Sequence, residues 1–193
     1  MSNLTDFFPS GGGGLTPKFQ EFNSSGTFTP TQALIDAGGY IEVFLVGGGG
    51  SASSAIKGGS GGEVIIKKMY LTSTTICNVT IAASVSVNNG NSSFFAGSSA
   101  GGIDITAAGG TISGTQSDSM GAGWGATFYE RSSSYANAAA AGSGVFGYGS
   151  GGAISNSYFP EGSGVSSGKE NSGQGSNSSR PSGSGYCLIK WYE

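Results

Sequence analysis

Serines, carboxylates and glycine runs are the groups that could do chemistry in this chain, because its 193 residues include no histidine. Gly58, Ser60 and Gly62 match the G-x-S-x-G pattern that presents a nucleophilic serine in many hydrolases. In those enzymes a histidine activates the serine by taking its proton. Since no histidine exists here, the match indicates a Gly/Ser-rich loop and not a nucleophile.

A second pattern, Gly47, Gly49 and Ala52, matches the G-x-G-x-x-A fingerprint of dinucleotide sites and follows an apolar run. The fingerprint needs a helix after the glycines, whose N-terminus faces the pyrophosphate, and an acidic residue about 20 positions further on. Residues 51–62 are rich in Gly and Ser and show no helical periodicity. We therefore expect no nucleotide and no other cofactor.

Paired carboxylates could hydrolyse a glycoside, which requires two of them to face one sugar. The chain has 11 Asp and Glu residues spread over its length, and nothing favours a pair such as Asp104 and Asp118. Glu42, Glu63 and Glu193 lie in or beside predicted strands, where we expect solvated faces. The sequence therefore predicts a protein that is not an enzyme.

Charge and cysteine content exclude further classes of protein. The 8 Lys and Arg residues are scattered and the net charge is −3, whereas nucleic-acid binding needs a clustered basic surface. No apolar segment approaches the roughly 18 residues that span a bilayer, and the start of the chain lacks the regions of a signal peptide. Cys77 and Cys187 form no disulfide framework and no metal site, so we expect them as small core residues.

The elements that must position any site are predicted to be strands. Glycine accounts for 38 residues and costs a helix about 1 kcal/mol relative to alanine, which favours an all-β protein. β-Branched and aromatic content or strict alternation marks the predicted strands, which are Tyr40–Val46, residues 63–71, residues 75–82 and Tyr186–Tyr192. Residues 31–37 are predicted to form one helical turn, with Gly38 at its C-terminal cap.

Alternation also predicts which side chains face the core. Cys77, Val79 and Ile81 share one face of their strand, and the last strand places together Cys187, Ile189 and Trp191. Because these strands come from both ends of the chain, the predicted fold is a small β-sandwich-like frame of residues 18–87 and 185–193. Long Gly/Ser-rich loops are predicted over residues 88–184.

The glycines are placed irregularly along these loops. Those between residues 97 and 164 divide almost evenly among the three triplet registers. Because no triplet register is preferred, the sequence has no long Gly-X-Y repeat. This excludes collagen and disfavours a regular bundle of glycine helices, but it permits short polyglycine-II segments. We predict one glycine-rich domain over residues 18–193.

Residues 1–17 are predicted to be a separate piece of the chain. An apolar patch comes first, and the four glycines at 11–14 have the composition of a flexible linker. We interpret the patch as a peg that docks onto another protein, formed by Leu4, Phe7 and Phe8. The alternative is a frayed terminus.

The composition of residues 88–184, which is rich in Tyr, Ser, Gly and Asn, is typical of recognition loops, where rigid rings supply contact area and small polar residues adapt. We predict a binding surface there. The alternative is that the rings fill the core of the loops. The candidate binding residues are Trp124, Phe128, Tyr129, Arg131, Tyr135, Tyr148, Tyr158 and Phe159.

Taken in order, these pieces resemble the glycine-rich distal domain of tailed-bacteriophage tail fibres and receptor-binding tips. The resemblance covers nearly the whole chain. It departs at residues 33–39, which replace a short turn, and in the diluted glycine tracts after residue 110. The segments that carry it are residues 4–9, 11–14, 22–28 (as a strand pair), 40–50, 58–63, 79–81, 89–94, 107–110 and 183–193.

The resemblance implies a β-rich, non-enzymatic adhesin of the virion, made without a signal peptide in the host cytoplasm. Its partners would be other tail fibre proteins, bound through the N-terminus, and a bacterial surface receptor, either protein or glycan. Such fibres are typically homotrimers, yet a tip can be one chain capping a fibre, and both states stay open. The alternative function is a purely structural virion protein without a receptor, such as a head fibre, a decoration protein or a shaft component.

Overall fold

The computed structural model describes residues 14–51, 59–112, 168, 170–176 and 180–193. Almost all of its regular structure is β-strand, as the sequence predicts. The elements are β1 (Pro17–Phe22), β2 (Gly26–Phe28), α1 (Gln32–Asp36), β3 (Tyr40–Val46), β4 (Val64–Tyr70), β5 (Cys77–Thr80), β6 (Ser93–Ala96), a 3-10 turn (Gly97–Ala100), β7 (Asp104–Ala107) and β8 (Tyr186–Tyr192).

The strands form two antiparallel sheets of four strands each. The first sheet has the order β1-β8-β3-β4 and the second has the order β2-β5-β6-β7. The last strand of the chain therefore lies between β1 and β3, in the middle of the first sheet. This placement confirms that both ends of the described chain build one frame.

One hydrophobic core lies between the two sheets. It joins Ile41, Val43 and Ile189 of the first sheet to Val79 and Phe95 of the second, all of them almost completely buried. The alternation of β5 and β8 is confirmed, because their predicted inward residues, including both cysteines, belong to this core. Both thiols are free, and burial raises the pKa of Cys187 to about 12.

Aromatic rings bridge the sheets at the edge of this core. The ring of Phe28 in β2 packs edge-on against Trp191 in β8, with centroids 5.2 Å apart, and lies 6.5 Å from the ring of Phe95. Phe95 and its neighbour Phe94 belong to β6. Phe95 is therefore a core residue, although it lies in the segment predicted to form loops.

Two other expectations from the sequence are wrong. The frame does not stop at residue 87, because β6 and β7 pair with each other and complete the second sheet. The strands on either side of residues 23–25 do not pair, because β1 binds β8 and β2 binds β5. The chain passes there from one sheet to the other, which a sequence pattern alone does not distinguish from a hairpin.

The helical turn before β3 is confirmed. Thr31 is the N-cap of α1, and its hydroxyl accepts a hydrogen bond from the Leu34 amide at 3.0 Å. Leu34 is buried and fastens the turn to the core. Gly38 follows with a φ of 101°, a left-handed conformation that suits glycine.

We call the end of the frame at which the chain enters β1 the base. Glu193 joins several elements at this end. Its carboxylate accepts hydrogen bonds from the Thr31 hydroxyl and, at 3.1 Å, from the Trp191 indole, and it lies 3.8 Å from the Lys18 ammonium. The Thr31 and Trp191 hydrogen bonds, with a smaller effect of the Lys18 charge, hold the pKa of Glu193 below its usual value. Helix, edge strand and last strand are joined at this carboxylate.

This depressed pKa predicts a pH dependence of stability. Because the folded-state pKa lies below the unfolded one, the Glu193 contribution is complete above the unfolded pKa and is lost as the pH falls through the folded pKa. Glu193→Gln should therefore be less stable than the parent near pH 7, and the gap should narrow at about pH 3. Urea unfolding at both pH values measures this. Glu21→Gln controls for loss of one negative charge, and an unchanging gap would contradict the prediction.

A matched pair of isoleucines tests the position of the core. Ile189 is 0% exposed between the sheets, whereas Ile66 is 47% exposed on edge strand β4. Ile189→Ala should lower the free energy of unfolding by about 2–5 kcal/mol, and Ile66→Ala by less than about 1 kcal/mol. Urea unfolding of both variants measures the two losses. Equal losses would show that the core lies elsewhere.

Candidate functional site at the glycine end

Opposite the base, the strands of both sheets continue into extended segments that together form what we call the glycine bundle. β3 runs directly into one of these segments, and β4 and β8 begin directly after two others. The second sheet joins through the residues that precede β6 and follow β7. The described segments of the bundle are residues 47–51, 59–63, 88–91, 108–111, 172–176 and 180–185.

Backbone hydrogen bonds of the central segment, residues 47–51, point in three directions. The amides of Gly47 and Gly50 donate to segment 59–63, at 2.9 Å each. The amides of Gly48 and Ser51 donate to segment 88–91 at 3.0 and 2.9 Å, and the Gly49 amide donates to segment 180–185 at 2.9 Å. The direction thus repeats every third residue, as it does in a polyglycine-II helix with its three residues per turn. Successive residues of a β-strand would instead alternate between two directions.

The carbonyl groups add two more neighbours to the central segment. Gly48 accepts a hydrogen bond from the Gly110 amide at 2.8 Å, and Gly50 accepts one from the Ser176 amide at 3.0 Å. The central segment is therefore bonded to all five other segments of the bundle. The repeat of amide directions every third residue is the one expected of the short polyglycine-II segments that the sequence permits. The segments lie side by side although the sequence has no triplet period.

Close contact between backbones explains why these positions are glycine. A Cβ atom on Gly47 would lie 2.0 Å from the Ala108 carbonyl oxygen, and one on Gly50 would lie 2.3 Å from that of Thr111. Separations under 3.0 Å are essentially never seen for real Cβ atoms. The four glycines at 47–50 are all buried, so their backbone N–H and C=O groups need hydrogen-bond partners. Neighbouring backbone segments supply those partners.

Buried serines complete the hydrogen bonding around the bundle. The Ser51 hydroxyl accepts from the Val87 amide at 3.0 Å and donates to the Arg180 carbonyl at 2.7 Å. Ser182 accepts from the Val85 amide at 3.1 Å, and Ser93 from the Ala82 amide at 3.0 Å. These hydroxyls bind segments that are far apart in sequence. Sequence alone did not predict this role, because serine is also common in adaptable loops.

The described residues of the two glycine patterns, Gly47 and Gly49 of the first and Ser60 and Gly62 of the second, lie in this bundle. All five amides of residues 47–51 donate to other backbone groups, so none of them is available to hold a phosphate. The Ser60 hydroxyl accepts a hydrogen bond from the Thr111 amide at 2.6 Å and lies 3.1 Å from the Thr111 hydroxyl. The described residues of both patterns thus serve close backbone packing, a role that the sequence did not predict.

The carboxylates singled out from the sequence have structural partners. Ser98 holds the pKa of Asp104 below its usual value through hydrogen bonds at the start of the 3-10 turn, including one from its amide at 3.0 Å. Glu63 is half-buried and accepts from the Ala108 amide at 2.8 Å, and Glu193 is half-buried with its partners at the base. The sequence did not predict these partners. Glu42 lies 3.7 Å from Lys68.

The predicted binding and docking residues fall outside the part of the chain that the structure describes. Asp118 and the docking residues Leu4, Phe7 and Phe8 lie outside the described residues. So do all eight candidate receptor-binding residues, which are Trp124, Phe128, Tyr129, Arg131, Tyr135, Tyr148, Tyr158 and Phe159. Their roles stay predictions.

The structure does fix where the described ranges end and resume on either side of those residues. Ile112 donates its amide to the Asn89 side chain at 2.6 Å, and Gly168 donates its amide to the Pro181 carbonyl at 2.8 Å. Both positions therefore lie at the glycine bundle. At the base, Thr16 exchanges backbone hydrogen bonds with Glu193 at 2.7 and 3.1 Å, so the segment before residue 14 joins the opposite end of the frame.

Within the described part of the chain, no three His, Cys, Asp or Glu side chains are grouped so that they could hold a metal ion. The described residues also include no helix of the length and apolar character needed to cross a membrane. Comparison of the chain with models of protein families, with curated proteins and with solved structures finds no match in any of the three. Function must therefore be inferred from the geometry.

Matched glycine substitutions test the bundle. Gly47→Ala places a methyl group against the Ala108 carbonyl, which lies in bonded backbone and cannot easily move, whereas a Cβ on Gly14 would meet nothing within 4 Å. Gly47→Ala should cost roughly 2–4 kcal/mol of unfolding free energy, and Gly14→Ala less than about 0.5 kcal/mol. Thermal and urea unfolding measure both values. A Gly47→Ala protein as stable as the parent would show that the backbones are not in contact.

Proposed function

We propose that this chain is a bacteriophage tail fibre or tail tip protein that binds a receptor on the host cell during adsorption. The observation that supports this proposal is the polarity of the frame. The segment predicted to dock onto the virion joins at the base, and the segment predicted to bind the receptor joins at the glycine bundle. A protein that connects a particle to a cell needs its two binding regions at opposite ends.

The distance between the two ends suits such a connector. β3 has seven residues, which span about 23 Å at roughly 3.3 Å per residue. The five residues of the central segment follow β3 and can add up to about 15 Å more at roughly 3.1 Å per residue. A receptor bound beyond the bundle would thus lie some tens of ångströms from the virion contact.

The bundle is also suited to carrying segments of varied sequence. Residues 112 and 168 are held by hydrogen bonds to groups of the bundle, which is itself bonded backbone to backbone. In our proposal the sequence between those two positions can vary while the frame is kept. In our proposal the receptor contacts come from the aromatic, Ser, Gly and Asn side chains of residues 113–167, with Trp124 and Tyr129 among them.

The proposed partners follow from the two ends of the frame. At the base, Leu4, Phe7 and Phe8 contact another tail or fibre protein, which places the chain in the virion. At the other end the partner is a bacterial surface molecule, protein or glycan. The proposal includes no catalytic step, no cofactor and no nucleic acid.

Replacement of residues 113–167 tests this division. A Gly/Ser linker of about 12 residues spans roughly 20 Å on average and should reconnect residues 112 and 168 across the bundle. We expect this variant to fold and to enter virus particles, and the particles to lose at least about tenfold in adsorption rate. The purified parent protein should bind susceptible cells and block adsorption, and the variant should do neither.

Folding of the replacement variant is checked separately. Cys77 and Cys187 are both 0% exposed, so their thiols should stay unreactive towards a thiol reagent in any correctly folded variant and react after unfolding. Particles that carry the folded replacement variant and adsorb normally would refute receptor binding and support the purely structural role. Equal binding of the parent protein to cells with and without the receptor would have the same meaning.

A further inference from the structure

β1 is an edge strand with an open side. It pairs with β8 on one side, and among the described residues no strand pairs with it on the other. Its side chains are mostly exposed, and Phe19, at 69%, is the most exposed large hydrophobic residue of the described chain. An edge strand of this kind offers unpaired amide and carbonyl groups to another strand.

The pairing with β8 shows which backbone groups face outwards. Thr16 and Glu193 exchange both of their backbone hydrogen bonds, so residue 16 and every second residue after it point towards β8. Pro17, Phe19 and Glu21 therefore point to the open side. The open edge offers the amides of Phe19 and Glu21 and three carbonyls, while Pro17 has no amide hydrogen to offer.

Both edges of the first sheet carry charged side chains, which are a common protection against another strand. On the opposite edge, β4 has Lys67 and Lys68 at its middle, and Lys68 lies 3.7 Å from Glu42. In β1 the charged residues are Lys18, which lies 3.8 Å from Glu193, and Glu21. Any strand that pairs with β1 must therefore avoid placing like charges opposite each other and must do without an amide from Pro17.

We propose that two copies of this chain associate through β1, antiparallel and around a two-fold axis at Phe19. The two copies of Phe19 then lie opposite each other and exchange two backbone hydrogen bonds. The Glu21 amide of each copy donates to the Pro17 carbonyl of the other, which makes four bonds in all. Because Pro17 has no amide hydrogen, the Glu21 carbonyl opposite it accepts no bond, and each outer pair makes one hydrogen bond instead of two.

Repulsion between like charges disfavours some of the neighbouring registers. A two-fold axis at residue 18 would place the two copies of Lys18 opposite each other, and an axis at residue 21 would do the same with the two copies of Glu21. With the axis at Phe19, Lys18 faces Gln20 and Glu21 faces Pro17, so no like charges meet. With the axis at Gln20, the two Gln20 side chains would lie opposite each other and Phe19 would lie opposite Glu21. This register would bury less apolar surface than the pairing of the two Phe19 rings.

The association should be weak and closed. Edge pairing over five residues falls at the low end of specific interfaces, below roughly 1,200 Å², so we expect a dissociation constant in the micromolar range. A two-fold contact uses the same patch on both copies and stops at a dimer. The β1 edge is distinct from the predicted docking peg and from the glycine bundle, so this inference does not rest on the proposed receptor binding.

Cysteine cross-linking of the purified protein tests both the contact and its register. Directly opposite residues of a hydrogen-bonded antiparallel pair have Cα atoms about 5.5 Å apart, within the range of a disulfide. Phe19→Cys should give a covalent dimer on mild oxidation. Gln20→Cys and Ile66→Cys, the latter on edge strand β4, should give little. The native cysteines are buried and should not contribute.

Sedimentation provides the second measurement. The parent protein should show a concentration-dependent monomer–dimer equilibrium, and Phe19→Lys, which sets two charges face to face, should raise the dissociation constant at least about tenfold. Ile66→Lys is the control and should leave it unchanged. A parent protein that stays monomeric up to about 100 µM would overturn the proposal, as would equal cross-linking through position 66. A monomer that still blocks adsorption would refute the dimer and leave the proposed function intact.

Discussion

Contact between backbones without intervening side chains is the constraint on which this structure depends. Gly47 to Gly50 let five segments approach one central segment, and a Cβ atom at Gly47, Gly49 or Gly50 would fall about 2 Å from a neighbouring carbonyl group. Strands of both sheets enter or leave this bundle, so its hydrogen bonds fix the ends of both sheets. The sandwich is thus held by its apolar core along most of its length and by backbone polar groups at one end.

The Gly/Ser composition is explained by this division between core and bundle. Glycine supplies close contact, and serine supplies short hydroxyls that bind the backbone groups at the margin of the bundle, as Ser51 and Ser182 do. The same composition in a chain without strands at either side would favour disorder. Here the aliphatic and aromatic residues of the sheets provide enough burial to order the glycine segments next to them.

Sequence patterns predicted the parts of the fold that depend on local alternation. β3 and β8 have the predicted bounds, and the inward faces of β5 and β8 are as predicted, because a period of two is visible in a single segment. The shift between sheets after Phe22 and the pairing of β6 with β7 depend on distant partners and leave no such trace. The three-residue repeat of the bundle lies in the directions of its backbone amides and not in its residue types. A residue with a side chain, such as Thr111, can therefore belong to the bundle.

The bundle also shows why glycine motifs need their context. A phosphate-binding loop works because its amides lack other partners and can turn to an anion. In this chain the amides of residues 47–51 are all bonded to carbonyls, so the letters of the fingerprint are present while the donors it requires are not free. The G-x-S-x-G match has the same origin, since Ser60 bonds to Thr111 across the bundle. Where glycines serve close packing, the backbone amides that could have bound a ligand are used by the fold itself.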